Sequence, residues 1–122
     1  MQIKCGTDII EIDRIKDAIE SLGDKFLNKV YTKKEIEYCE SKKGQKYQHY
    51  AGRFAAKEAA YKAMSNMLND KYEISWTDIE ILNDENSRPY VNLNINIDIQ
   101  DIDVSISHCK QYATANVIII IK

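Results

Sequence analysis

Proline and glycine are scarce, one and four residues in 122, which excludes a collagen-like or low-complexity chain. Cysteine is scarce as well. Cys5, Cys39 and Cys109 are odd in number and far apart, with no Cys-x-x-Cys and no Cys/His cluster, so neither a zinc framework nor a secreted disulfide scaffold is expected. A reducing, cytoplasmic setting fits better. Long apolar runs are missing: the longest, Val117 to Ile121, is far too short to span a bilayer. Met1-Gln2-Ile3-Lys4-Cys5 leads into strand-like sequence, without the charged and then apolar segment of a signal peptide, so no membrane association is expected. No charge dominates either, since 17 Lys and Arg against 19 Asp and Glu leave −2. A polybasic nucleic-acid binder is thereby excluded. GxGxxG, GxxxxGK[ST] and GxSxG are all absent. His108 and Cys109 are neighbours in a strand-like stretch, where adjacent side chains point to opposite faces, which argues against a Cys–His nucleophile pair.

What is there is ordinary globular material, 44% apolar and 30% charged. The length suits a single domain over residues 1–122 with a core of its own. The small net charge hides an asymmetry. Residues 25–62 carry ten basic and four acidic side chains, a net of +6; residues 70–103 carry two and nine, a net of −7. Such runs are either two solvated faces or a basic side that meets a phosphate-rich ligand or an acidic protein.

Gln2 to Ile12 reads as a strand, with Gly6 marking a bulge or a close approach. Asp13 is a plausible N-cap for a helix that carries Ile15, Ile19 and Leu22 and ends at Gly23. Thr32 and Glu35 form a capping-box pattern for a helix over about 33–42. From Lys46 to Asn66 the pattern predicts a long helix whose Ala55, Ala56, Ala59, Ala60 and Ala63 share a side suited to close packing on a sheet. Strands are predicted at Trp76 to Leu82, Tyr90 to Ile97, Val104 to His108 and Tyr112 to Ile121. A strand, then helices, then strands indicates α+β with an antiparallel sheet packed against the long helix.

Three polar residues stand out in apolar stretches. Asp8 is a satisfied structural acid or a ligand for a hard cation. Glu58, with Phe54 and Lys62 at i−4 and i+4, is half of a helix-surface ion pair or a second such ligand. Two carboxylates on separate elements can hold one Mg²⁺, which completes its octahedron with water and substrate phosphates. His108 ends a strand at a turn, a surface or packing residue or a functional one; Lys110 beside it makes a phosphate contact possible.

Together these blocks resemble holo-acyl-carrier-protein synthase. Gly6-Thr7-Asp8-Ile9-Ile10-Glu11-Ile12 with Arg14 is similar to that family's opening motif, and Gly52-Arg53-Phe54-Ala55-Ala56-Lys57-Glu58-Ala59 with Lys62-Ala63 to its signature helix. Trp76 to Ile81, Arg88-Pro89-Tyr90-Val91, Ser105-Ile106-Ser107-His108 and Tyr112-Ala113 are similar to its later strands. The resemblance implies a 4′-phosphopantetheinyl transferase that moves the phosphopantetheine arm of coenzyme A onto a serine of apo-acyl carrier protein, in fatty acid biosynthesis, and releases adenosine 3′,5′-bisphosphate. It implies that Asp8 and Glu58 bind Mg²⁺ and that Lys62 lies by the coenzyme A phosphates, these three forming the catalytic set. Lys46, Arg53, Pro89 and His108 are implied on the coenzyme A side, and Arg14 on the surface that receives the carrier protein. The first helix has few basic residues beyond Arg14 and Lys16, so Lys25 and Lys29 are expected to share that surface. Glu58, directly or through a metal-bound water, is the candidate base for the serine. The family further implies a homotrimer with active sites between subunits.

Two departures and two alternatives stand beside this. The family's Gly-Thr-Gly turn after the signature helix is replaced by Met64-Ser65-Asn66-Met67 and Leu68-Asn69-Asp70-Lys71, so the loop near the coenzyme A arm is built differently. The second departure is the sparsely basic first helix. The alternatives are the same chemistry on a polyketide or peptide carrier domain, against which the short chain argues, and a noncatalytic carrier- or nucleotide-binding module, against which the presence of both Asp8 and Glu58 argues. Finally, Val117-Ile118-Ile119-Ile120-Ile121 does not alternate, so the strand is expected to be covered on both faces, by the chain's own helices and by a neighbouring subunit, or else buried centrally within one chain.

Overall fold

A computed structural model describes residues 1–68 and 74–122. It is α+β, in the order β1 (Gln2–Glu11), α1 (Ile12–Leu22), α2 (Asp24–Val30), α3 (Lys33–Glu40), α4 (Lys46–Met64), β2 (Ile79–Asn83), β3 (Pro89–Leu93), β4 (Asp101–His108) and β5 (Tyr112–Ile121). β1, β5 and β4 form an antiparallel three-stranded sheet with β5 in the centre, and β2 and β3 form a separate hairpin.

α4 is the axis of the molecule. Ala55, Ala56, Ala59 and Ala60 are fully buried and Ala63 nearly so, against Ala115, Val117 and Ile119 of β5 and Val104 of β4. With methyl groups only on that stripe, strand and helix backbones come close. Gly6 is the extreme case: a Cβ there would lie 2.0 Å from the Ala59 carbonyl oxygen and 2.8 Å from the Ala63 nitrogen. The predicted close approach at Gly6 is therefore real, and no bulge interrupts the ten-residue pairing of β1 with β5. A second cluster, built on Ile12, Ile15 and Ile19 of α1 with Val30, Tyr31, Cys39 and Tyr50, covers the other half of α4. All three cysteines are free.

Several boundaries differ from the sequence reading. Glu11, rather than Asp13, occupies the N-cap of α1, and Asp13 lies in its first turn. α2 was not anticipated; it begins just after Gly23, whose φ of 58° ends α1. The Thr32–Glu35 capping box forms as expected. Trp76–Asp78 is a single 3₁₀ turn rather than the start of a strand, and β3 stops at Leu93. In β5, Val117 and Ile119 are fully buried while Ile118 is 50% exposed. The central-strand expectation holds, but burial on both faces within one chain does not. The outer face of the sheet, which carries Ile3 and Ile9 of β1 and Ile118 of β5, is open. No described helix is long and apolar enough to cross a membrane.

Gly6→Ala should lower the unfolding free energy by about 3 kcal/mol or more, because a rigid backbone cannot yield to the added methyl as a flexible side chain would. Urea unfolding followed by circular dichroism measures this. A midpoint equal to that of the parent would contradict the close approach.

Candidate active site

The antiparallel register sends Lys4, Gly6, Asp8 and Ile10 of β1 to the face that meets α4. Asp8 thus follows the tightest point of contact by two residues and arrives opposite the last turns of the helix. Its carboxylate accepts a hydrogen bond from Lys62 Nζ at 3.1 Å, and the same ammonium donates to the Thr7 carbonyl at 3.1 Å. Lys62 therefore forms its ion pair across the interface to Asp8, and not with Glu58 one turn earlier on its own helix. Asp8 is held from behind as well, since Thr114 Oγ1 donates to its backbone carbonyl at 2.8 Å.

Glu58 faces this pair. Partial burial pushes its carboxyl up from the usual value, the Asp8 charge pushes it further the same way, and Lys62 opposes both. Two carboxylates that sense each other across a strand–helix interface suit a hard divalent cation, and Mg²⁺ needs no more than one or two of them. Beside Glu58 lies a cavity of about 220 Å³ lined by Lys57, Tyr61, Ile74, Ser75, Trp76 and Ile79. The turn that replaces the family's Gly-Thr-Gly begins as 3₁₀ helix at Ser65–Met67; Asn69, Asp70 and Lys71 lie outside the described residues.

A second polar cluster sits earlier on α4, at Arg53, five residues before Glu58 and nine before Lys62, about 8 and 13 Å along the helix axis. Arg53, almost wholly buried, stacks over the Tyr38 ring at 4.1 Å and donates from Nη2 to Asn83 Oδ1. Its Nε has no partner among the described residues. Asn83 pairs with Pro89 across the β2–β3 hairpin, so Arg53 and Pro89 belong to one neighbourhood. His108, at the end of β4, meets His49 of α4 with ring centroids 6.3 Å apart. Lys46, at the start of α4, pairs with Glu40 at 3.4 Å on the surface. Arg14, Lys25 and Lys29 are exposed on α1 and α2.

Sequence reasoning missed what fixes this arrangement from beneath. Lys57, the neighbour of Glu58, is fully buried and pairs with equally buried Glu35 at 2.8 Å. Its ammonium also donates to the carbonyls of Trp76 (3.0 Å) and Ile79 (2.5 Å), while Glu35 Oε2 accepts from the Ile81 amide at 2.8 Å. Burial pulls the Lys57 pKa down, and the Glu35 charge works against that. A signal was available: Lys57 lies three residues before Ala60 and four after Arg53, on a buried side of the helix.

Residues 4–117 match the model of the 4′-phosphopantetheinyl transferase superfamily. The chain is 48% identical to the holo-[acyl-carrier-protein] synthase of Ruminiclostridium cellulolyticum, over 98% of its own length and 92% of that protein. It is 46% identical to that of Protochlamydia amoebophila, over 94% and 95%. Among solved structures it resembles a holo-(acyl-carrier-protein) synthase from Bacillus anthracis in complex with CoA (3′,5′-ADP), with a TM-score of 0.81, 35% identity and coverage of 98% and 96%. It also resembles the Helicobacter pylori holo-[acyl-carrier-protein] synthase in complex with coenzyme A, with a TM-score of 0.82, 32% identity and coverage of 94% and 98%. With the Asp8–Glu58–Lys62 geometry carried on the same strand and helix that bear the two family motifs, the chain belongs to the 4′-phosphopantetheinyl transferase superfamily, among the holo-acyl-carrier-protein synthases.

Proposed function

We propose that this chain transfers the 4′-phosphopantetheine group of coenzyme A to a serine of apo-acyl carrier protein, with Mg²⁺, releasing adenosine 3′,5′-bisphosphate, in the cytoplasmic synthesis of fatty acids. The observation that carries this reading is the Asp8–Lys62 ion pair facing Glu58 at the mouth of a partly apolar cavity. The serine oxygen attacks the phosphorus that bears the pantetheine arm. The bond from that phosphorus to the oxygen of the departing nucleotide phosphate breaks, and the serine proton passes to a base. Asp8 and Glu58 would hold Mg²⁺, which when bound neutralises charge on the pyrophosphate oxygens. Lys62 sits where it can place a positive charge on the same oxygens. Glu58, directly or through a metal-bound water, is the candidate base for the serine proton. The apolar cavity fits the pantetheine arm. Arg53, with a spare buried donor, Lys46, Pro89 and His108 form the coenzyme A side.

The carrier protein docks on the exposed basic residues Arg14, Lys25 and Lys29. The assembly is a homotrimer whose subunits cover one another's open sheet faces. An exposed apolar sheet face invites association, and the separation of about 8 to 13 Å between the two polar clusters of one helix suits a nucleotide pocket completed by the neighbouring chain.

Three outcomes test the reading. Incubated with this protein, coenzyme A and Mg²⁺, apo-carrier protein should gain the mass of one phosphopantetheine group. Asp8→Ala and Glu58→Ala should each slow that gain about 100-fold or more with the fold unchanged by circular dichroism, and EDTA should abolish it reversibly. A Glu58→Ala variant as fast as the parent would leave Glu58 a bystander. Secondly, Arg14→Glu should raise KM for the carrier about tenfold while moving KM for coenzyme A little, and added salt should mimic it, since exposed charges are screened over about 8–10 Å. Equal effects on both constants would move the docking surface elsewhere. Thirdly, light scattering should give three times the 14.1 kDa chain mass. Ile118→Asp, on the open face, should cost assembly and activity together, whereas a fully active monomer would refute the shared site.

A further inference from the structure

His49 has no place in the reaction as set out above, yet it stands at the edge of the coenzyme A side. Its ring lies 6.3 Å from that of His108 of β4, centroid to centroid, and makes a T-shaped contact with the Tyr38 ring of α3 at 5.6 Å. Tyr38 in turn carries the Arg53 guanidinium over its face at 4.1 Å and Lys42 at 4.8 Å. The charged and titratable groups around His49 are thus Lys42 and Tyr38 from α3 and the turn after it, Arg53 from its own helix, and His108 from β4. No carboxylate is among them, and neither imidazole has a hydrogen-bond partner among the described residues.

Such a surrounding holds a histidine neutral. Partial burial and the positive charges of Arg53 and Lys42 all disfavour the imidazolium, so His49 titrates below its ordinary range. A phosphate monoester reverses the balance. Its near-dianionic charge at neutral pH, set against Arg53 and His108, replaces net repulsion by attraction and returns the proton to His49.

Resting on the reading that Arg53 and His108 hold the nucleotide end of coenzyme A, we propose that His49 is a specificity residue that gains a proton when the 3′-phosphate docks, coupling coenzyme A capture to pH. Free His49 is neutral above its lowered pKa and bound His49 is protonated up to a raised one, so between those two values affinity grows as pH falls. A site without such a group would shed protons instead, because cations lower the pKa of the phosphate itself.

Calorimetry of coenzyme A binding to the assembled protein, at pH 7.5 in buffers of different ionisation enthalpy, reads the proton count directly. Uptake is expected with coenzyme A, and none with dephospho-coenzyme A, which lacks the monoester. The dissociation constant should rise about fivefold from pH 6.5 to 8, below the tenfold per pH unit of one fully linked proton. His49→Asn, which cannot titrate, and His49→Phe, which keeps the ring volume, should both lose the uptake and flatten that slope. Undiminished uptake in both variants overturns the proposal for His49 alone. Equal uptake with dephospho-coenzyme A overturns it together with the assignment of the nucleotide end to Arg53 and His108.

Discussion

Everything about the site depends on how closely β1 lies on α4. The contact is made without side chains to speak of: a glycine on the strand, alanines on the helix, and a carbonyl oxygen where a Cβ would otherwise be. Such an interface gains less apolar burial per residue than one built from leucines, but it brings two backbones within reach of each other's short side chains. An aspartate has a reach of only two bonds beyond Cβ. Asp8 meets Lys62 because Gly6 has already removed the space that a larger residue would keep open. The ten-residue pairing of β1 with β5 then holds the phase, since a slip of one residue would turn Asp8 to the outer face and Ile9 inward.

Rotation of α4 about its own axis needs a separate lock, because a stripe of methyl groups is smooth. The Lys57–Glu35 pair provides it. Burying two charges costs several kcal/mol each, which their attraction offsets only when every donor and acceptor is used. Here two backbone carbonyls accept hydrogen bonds from the ammonium, and the amides of Thr32 and Ile81 donate to the carboxylate. Those four backbone groups belong to the cap of α3, the 3₁₀ turn at Trp76 and strand β2. The lysine thereby ties α4 to three other elements, and the next residue in the chain, Glu58, is left with one direction to face.

Much of this was legible in the sequence, for physical reasons that differ by element. The alanine stripe and the β5 pattern announce themselves by period, and Gly6 by its intrusion into a strand. The Thr32–Glu35 box forms where its spacing says, yet Glu35 does more than cap: one oxygen serves the Thr32 amide and Lys57, the other the Ile81 amide. Local spacing could show the first role and not the second, which depends on a residue 22 places away and on a strand 46 away. Spacing left Glu58 open as an i,i+4 partner of Lys62 or as a separate ligand, because the i,i+4 rule sees only one element and the Asp8 partner lies on another. α2 escaped notice because seven residues after a glycine carry too little periodicity to separate a helix from a loop. In the Val117–Ile121 run, unbroken apolarity announced two apolar faces, and the single chain covers one of them and leaves Ile118 open on the other.

The charge asymmetry along the chain becomes an asymmetry in space. The acidic stretch contributes Asp101 and Asp103 to the outer face of the sheet, by their register with Ile120 and Ile118. Glu80 is consumed by Thr32 and Asn92 in the hairpin layer. None of these carboxylates is among the charged groups that act on His49. Against this background Asp8 and Glu58 are the exception, two carboxylates on the helix that also carries Arg53 and Lys62 or beside it. With one ammonium between them they leave a net negative charge, and a pyrophosphate placed there would add more. Lys62 alone cannot balance that sum, and this imbalance is what supports the proposal that Asp8 and Glu58 would hold a divalent cation. A structural ion pair needs one carboxylate, Asp8 with Lys62, and the proposed reaction gives the second, Glu58, a part in holding a cation or receiving a proton.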